Sequence, residues 1–308
     1  MIHHRRWFLP NQRLLEEKLC DKVRVFFRAR EPLFTRADHA LLATFSVEYR
    51  NNGMPFRNQD WRRLKSIAEG NPDESKIGAF GVGAYTMFSI CECPLVLSGN
   101  QALAFVWNGD ALYTRTINNY DRPKEDEAWT SFVLPSRDPY PLPSLETFGE
   151  FLCSSLTFTK SLSEIRVFVN GKKRLAIHKT QIQEPMPVEI KKNSGWFTKD
   201  GAVLNSPSGL FSLKDEQSLL ESFYHVQVEL DGDTAAMTAR YLSAIAKTKI
   251  PPMMVARMER VMKKKPPAKL DVQLFLRNQV SEDSPTSSKA NRIVQSFVPT
   301  EEGKIFIG

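Results

Sequence analysis

The chain is predicted to fold as an α+β protein, and three observations carry that expectation. Helix-like and strand-like apolar periodicities alternate through about residue 180, which is an α+β or α/β pattern rather than an all-α one. Turn-forming clusters separate the strand-like runs, as at Asn51-Asn52-Gly53, Asn108-Gly109-Asp110 and Asn170-Gly171. Hydrophobic residues make up 42% of the 308 positions and charged residues 25%. Those are ordinary globular proportions, and the length suits two domains or one large one.

In chain order, Gln12 to Arg30 reads as a helix and Leu42 to Tyr49 as a strand. Asn51-Asn52-Gly53 supplies a turn in which Asn and Gly accept positive φ at little cost. Asp60 to Glu69 reads as a helix, with Trp61, Leu64 and Ile67 on one side and Gly70-Asn71-Pro72 as its stop. A glycine-punctuated segment, Gly78 to Ile90, follows. Pro94 to Ser98 and Ala102 to Trp107 read as strands, with a hairpin about Asn108-Gly109-Asp110. Past a charged loop, Trp129 to Leu134 reads as a strand ended by proline, and Leu145 to Leu156 as a helix. Ile165 to Val169 and Leu175 to His178 form a hairpin through Asn170-Gly171.

At Pro185-Met186-Pro187 the character changes, so a domain covering 1–184 is expected, followed by a partial middle α/β region covering 185–308. In the second region Trp196 to Leu213 is punctuated by Gly and Ser, Phe223 to Leu230 reads as a strand and Thr234 to Lys247 as a helix. Met253 to Lys265 carries Met254, Met258, Val261 and Met262 near helical spacing. Core packing of that stripe is the expected role, with a membrane surface or a calmodulin-like partner as the alternative. Leu270 to Leu276 reads as a strand, Ser281 to Lys289 as a polar loop, and Gly303 to Gly308 as a strand just begun.

Charge and composition narrow the function. The net charge of +7 is local: residues 1–30 contribute +5 and residues 247–269 contribute +7, leaving the remainder 5 units negative. Solvated helix faces are the simplest reading of both segments, and nucleic acid is not the expected partner. The longest apolar stretches fall short of the roughly 18 residues that cross a bilayer. No apolar signal region precedes Pro10. Four cysteines make no disulfide framework, so a reducing compartment, the cytoplasm, is expected. Cys91-x-Cys93 has no second pair at zinc spacing and reads as part of a buried β-segment. His39 and His178 lack a nucleophile or carboxylate at a telling distance, and Glu125-Asp126-Glu127 reads as a solvated loop.

The densest chemical signal is Ile77-Gly78-Ala79-Phe80-Gly81-Val82-Gly83-Ala84-Tyr85. Three glycines in six residues let the backbone turn and present several N–H groups, and a helix-like run then adds its N-terminal dipole. That suits a phosphate. The order G-x-x-G-x-G is neither the dinucleotide fingerprint nor a P-loop, because Ala84-Tyr85 stand where Lys and Ser/Thr would be. A close-packed turn is the alternative. Gly53 lies 25 residues upstream of Gly78, in Tyr49-Arg50-Asn51-Asn52-Gly53-Met54-Pro55-Phe56, and a helix follows each loop.

In this order the two loops resemble the Bergerat ATP-binding fold of gyrase, heat-shock chaperones, histidine kinases and MutL mismatch-repair proteins. The run Ser75 to Tyr85 is similar to the heat-shock chaperone version, I-G-x-F-G-V-G-x-Y. The stretch Val47 to Gly99 is similar to fungal sacsin-like proteins with this domain. The resemblance implies an α/β sandwich of Bergerat type with ATP as cofactor and magnesium as its accompanying ion. Carried over by position, Gly78, Gly81 and Gly83, with Phe80 and Val82 between them, meet the phosphates. Gly53 lies against the base, Thr130 sits by the adenine, and Asn51 takes the place of the family's aspartate. An asparagine accepts through its carbonyl oxygen as a neutral, weaker partner.

The family's first helix carries a Glu for the hydrolytic water and, four residues on, an Asn for magnesium. Its nearest counterpart here is Phe27 to Ala40, where Pro32 falls on the Glu and Arg36 on the Asn. Glu31 is one residue out of register, about 100° around a helix. Weak or absent hydrolysis is therefore expected, and an altered gene reading over residues 1–46 explains the mismatch equally well. Family members run on past Ile305-Phe306-Ile307-Gly308, so a truncated member is expected. The expected function is adenine-nucleotide binding in a chaperone-like or sacsin-like protein with client or partner proteins and no membrane, Glu69 to Lys76 being the candidate lid. The rival is a degenerate domain that keeps the fold and acts as a protein-interaction scaffold.

Overall fold

The computed structural model describes residues 20–30, 35–36, 39–40, 42–66, 83–157, 159, 161–188, 211–212, 219–248, 250–262, 265–266, 269–280, 288–298 and 304–307. Strand β1 (Lys22–Arg30) is followed by two short strands, β2 (Thr35–Arg36) and β3 (His39–Ala40), which pair with each other, and by β4 (Ala43–Asn51). Helix α1 (Asn58–Lys65) and a 3-10 helix (Gly83–Ser89) precede strands β5 (Leu95–Ser98), β6 (Gln101–Asn108) and β7 (Ala111–Asn118). Next come a short helix α2 (Lys124–Glu127), strand β8 (Thr130–Pro141), helix α3 (Leu145–Leu156) and the hairpin β9 (Glu164–Val169) and β10 (Lys172–Gln181). The chain continues through β11 (Met186–Val188), β12 (Phe211–Ser212), β13 (Leu219–Leu230), β14 (Asp233–Thr248), α4 (Pro252–Met262), β15 (Lys269–Val280), α5 (Lys289–Gln295) and β16 (Lys304–Ile307).

Fourteen of these strands form one mixed sheet, ordered β16-β15-β14-β13-β10-β9-β1-β4-β8-β5-β6-β7, with β11 on β13 and β12 on β14. Only β1 with β9 runs parallel among the described pairings. The sheet passes residue 185 unbroken, because β10 pairs with β13. The α+β expectation is borne out: helices cover one face of a large sheet. Alternation fixes which face. Val23, Val25 and Phe27 are buried against α3 and α5 together with Leu152, Leu156, Ile293 and Val294. Val47 and Tyr49 stand in the same rows and pack on that core. They face Leu134 and Phe132 of β8, which belong to a second core with Trp61, Leu64, Met87 and Phe105. One helical layer, α1 and the 3-10 helix at one end and α3 and α5 at the other, thus lies on one face.

Several elements form where local signals are strong. Ser144 accepts the Thr147 N–H and starts α3 at the residue its sequence pattern predicts. Asn170 and Gly171 both have positive φ, 49° and 79°, as a two-residue hairpin turn of the right hand for the sheet twist requires.

Elsewhere the structure corrects the sequence reading. Within Gln12 to Arg30, residues 22–30 are strand rather than helix. KVRVFFRAR alternates, burying Val23, Val25, Phe27 and Ala29, and β4 and β9 pair on either side. The same strand removes the helix over Phe27 to Ala40. Its residues 35–36 and 39–40 are β2 and β3, Arg36 lies opposite His39, and Glu31 and Pro32 lie outside the described residues. Thr234 to Lys247 is likewise strand: burial of Ala235, Met237, Ala239 and Tyr241 has period two, and β13 and β15 flank it. Trp129 to Leu134 does not end at Pro135. Strand β8 runs to Pro141 through a bulge opposite Thr44/Ser46, where a proline costs no ladder bond. Helix α5 follows the polar loop unannounced and carries Ala290, Ile293 and Val294 into the core. The stripe of α4 is not core: no residue from 252 to 261 is buried, and Met253 is 84% exposed. Cys91 is buried as expected, whereas Cys93 is exposed.

Candidate functional site

The site is built where β4 ends and β8 begins. Asn51 and Thr130 are direct cross-strand partners, so both side chains stand on the helix-covered face, one step beyond the Tyr49–Phe132 ring pair at 6.1 Å. They are the polar end of an apolar strip. Thr130 is buried, and its Oγ1 lies 2.7 Å from Ser98 Oγ. Ser98 Oγ also accepts the Phe56 N–H at 2.8 Å. That chain ties the loop after β4 to β5 and β8, so the loop is held against the sheet.

The two asparagines of the turn divide their work. Asn51 Oδ1 accepts the Gly53 N–H at 3.2 Å, an Asx turn. Asn52 turns to β1 instead: its Oδ1 accepts the N–H groups of Asp21 at 3.2 Å and Lys22 at 2.9 Å, and its Nδ2 donates to the Asp21 carboxylate. Gly53 is needed for space and not for its φ, which is not in the left-handed region. A Cβ there would sit 3.2 Å from Asn51 Oδ1 and 3.4 Å from Cys20 Cβ. Burial pushes the Cys20 thiol up to about 11, and it donates to the Lys22 carbonyl. Asn51, Thr130, Ser98 and Cys20 thus supply a carboxamide, two hydroxyls and a thiol to the corner.

Gly83 opens the 3-10 helix, where Thr86 Oγ1 donates to its carbonyl at 3.0 Å. Tyr85 donates its hydroxyl to the Leu64 carbonyl at the end of α1, and Met87 packs with Trp61 and Leu64. The segments that follow the two loops thus share one core. Gly78, Phe80, Gly81 and Val82, and the candidate lid Glu69 to Lys76, lie outside the described residues. Among the predicted positions, then, Asn51, Gly53 and Thr130 come together, and Gly83 heads a helix packed on the adjoining layer. Sequence reasoning missed Ser98 and Asn52. Ser98 had a signal in its place beside Gly99 at a hairpin, but its partner is 32 residues away.

The other singled-out groups are accounted for by the opposite, polar face. His178 Nδ1 stands 3.7 Å from Glu164, which also pairs Arg166 at 2.8 Å. Asp126 of the acidic triplet is not merely solvated, since it pairs Arg50 at 2.6 Å. Arg166, Arg24 and Arg50 occupy one register row, with Arg24 stacked on Trp129 at 4.3 Å. No cluster of three or more His, Cys, Asp or Glu suited to a metal occurs among the described residues, and no described helix is long and apolar enough to cross a membrane.

No protein-family model and no curated protein matches the chain. Solved structures do show similarity. The ATP-binding domain of Francisella tularensis topoisomerase IV, solved with a small-molecule inhibitor, is 12% identical over 66% of this chain and 53% of that one, with a TM-score of 0.33. The 43K ATPase domain of Thermus thermophilus gyrase B, in complex with an aminocoumarin, is 10% identical over 66% and 51%, with a TM-score of 0.31. The N-terminal domain of a DNA repair protein is 12% identical over 67% and 62%, with a TM-score of 0.31. The chain spans 51% to 62% of the length of these three structures.

Proposed function

We propose that the chain binds an adenine nucleotide, ATP, at the corner formed by Asn51, Gly53 and Thr130. The observation that carries this reading is the direct pairing of Asn51 with Thr130 on the helix-covered face. The order of the two glycine loops in the chain supports it. The residues present fit a purine edge: Asn51 Oδ1 spends one lone pair on the Gly53 N–H and keeps the other for an exocyclic amino group. Gly53 leaves room for the ring, and the Thr130–Ser98 hydroxyl pair offers a donor beside it. Gly78, Gly81 and Gly83, with Phe80 and Val82, would hold the phosphates through their backbone N–H groups. When bound, ATP would supply the phosphate charge for those groups.

Turnover is weak or absent in this reading. In the run Phe27 to Ala40, where the resembling family carries a water-positioning Glu and a magnesium-holding Asn, residues 27–30 belong to β1 and Arg36, in the place of the Asn, belongs to β2. A nucleotide-responsive role in a chaperone-like or sacsin-like protein follows. The neutral Asn51 favours a second reading, a scaffold that retains the fold and binds only proteins.

The test is thermal unfolding with and without millimolar ATP or ADP, with and without magnesium. Nucleotide at about 100 times its dissociation constant stabilises by roughly 2.7 kcal/mol, a shift of several degrees. The expected result is such a shift, lost in Gly81→Val. A well-folded sample that no nucleotide stabilises removes the binding reading and leaves the scaffold.

A further inference from the structure

The sheet ends at β7, and its outer edge carries no pairing strand among the described residues. Natural edges are blunted by prolines, bulges or charges. β7 reads ALYTRTIN, with one charge and no proline, and it pairs with β6 without a register shift. Every residue from 113 to 118 is exposed. Val106 and Ile117 are 46% and 37% exposed beside Tyr113 at 58%. This is the largest concentration of exposed apolar side chains in one hairpin among the described residues.

Hairpin geometry says which groups the edge offers. Asn108 and Ala111 close the two-residue turn, so the backbone groups of 111, 113, 115 and 117 are bonded to β6, and those of 112, 114, 116 and 118 point outward. The other side of β6 follows the same phase, since the Phe105 N–H is bonded to the Pro94 carbonyl. A second copy can pair antiparallel only where residues on the same face meet, which restricts the centre to a single residue rather than a gap between two. Centring on Arg115 sets two like charges opposite each other at the closest spacing. Centring on Thr114 avoids this. Thr114 then faces Thr114 of the partner subunit, Leu112 faces the partner's Thr116, and each of those pairs exchanges backbone hydrogen bonds. Tyr113 meets the partner's Arg115 in a non-hydrogen-bonded pair, where side chains approach most closely and a guanidinium can cover a phenol ring. The two-fold axis repeats that contact, so the one charge on the strand is answered twice.

We propose that β7 is a dimerisation edge, joining the sheets of two copies about an axis through Thr114. The self-complementary register and the answered charge select a second copy over an unrelated strand. The interface is small, so the dimer is concentration-dependent.

Sedimentation equilibrium of the full chain, up to about 100 µM given an interface of this size, reads the mass. A dimer is expected, dissociating in Tyr113→Lys, which sets like charges opposite each other twice. Thr114→Pro, which removes an outward N–H and no β6 bond, is expected to dissociate it as well. Circular dichroism checks that both variants stay folded. In a Cys93→Ser background, mild oxidation should cross-link Thr114→Cys, whose paired Cα atoms stand about 5.5 Å apart. Ile117→Cys should not cross-link, because six residues separate it from its counterpart. A monomer at every concentration overturns the proposal. So does a dimer that survives both substitutions, or cross-linking at 117 and not at 114.

Discussion

Replacing Asn52 with alanine is expected to destabilise the fold strongly, while the same change at its neighbour Asn51 is expected mainly to remove the proposed nucleotide binding. Asn52 is 7% exposed and its carboxamide satisfies the N–H groups of Asp21 and Lys22 and one carboxylate oxygen. Truncation leaves two N–H groups at the start of β1 without their acceptor, each costing about 1–3 kcal/mol where water does not reach. The N-terminal end of β1 is near the surface, so water offsets part of this, and a loss of about 2–4 kcal/mol is expected. Asn51 satisfies only the Gly53 N–H at 3.2 Å, worth about 0.5–1.5 kcal/mol. Urea unfolding followed by circular dichroism gives both values, provided the slope is unchanged. The ATP-induced rise in Tm should vanish in Asn51→Ala and persist in Asn52→Ala at temperatures where it is folded. Equal destabilisation by the two substitutions, or a cost below about 1 kcal/mol for Asn52→Ala, would refute the assigned division of labour.

Lys179 is buried with no carboxylate partner among the described residues. It donates to the carbonyls of Leu156 and Thr159 at the end of α3, and burial pulls its ammonium down to about 7. The unfolded chain therefore binds more protons than the native one above pH 7. Stability from this group rises between pH 7 and about 10.4, by at most about 1.4 kcal/mol per pH unit, and the burial cost is complete below pH 7. Buried Cys20 and Cys153, pushed up to about 11 and about 12, act in the opposite sense above pH 9. Comparing Lys179→Met with the parent between pH 7 and 9 isolates the lysine: the rise should disappear, and a rise that remains shows another group is responsible. Ile293→Ala should cost about 2–5 kcal/mol by denaturant unfolding, the range for emptying a fully buried site. Its side chain is 0% exposed and lies against Gly149 of α3 and near Leu175 of β10; a cost under 1 kcal/mol would mean that α5 does not hold the helical layer together.

What the chain itself disclosed was local. The bounds of α3 were legible as Leu145 to Leu156, and the β9–β10 turn follows from Asn170-Gly171, which few other dipeptides can replace. The strands β4, β5, β6, β13 and β15 were legible because their alternation or β-branched content needs no partner to be recognised. Asn51, Gly53 and Thr130 could be named only through the resemblance to the Bergerat family, by position. That they form one corner could not, since a pairing across 79 positions leaves no mark on either stretch.

Where local preference and long-range pairing disagreed, pairing decided. An alanine-rich run such as TAAMTARYLSAIAKT satisfies a helix as readily as a strand, and only β13 and β15 on its flanks make alternate burial of Ala235, Met237, Ala239 and Tyr241 the lower free energy. The same holds for residues 22–30, inserted between β4 and β9. An amphipathic stripe also says nothing about what covers it: in α4 Met254 and Val261 are exposed and Met258 half-buried although its period suits a core. Sequence by itself thus determined the turns and the extent of α3, because these depend on neighbours in the chain. Tertiary structure alone decided that residues 22–30 and 234–247 are strands, which face is covered and which polar groups meet, because those depend on hydrogen bonds and burial between residues far apart in it.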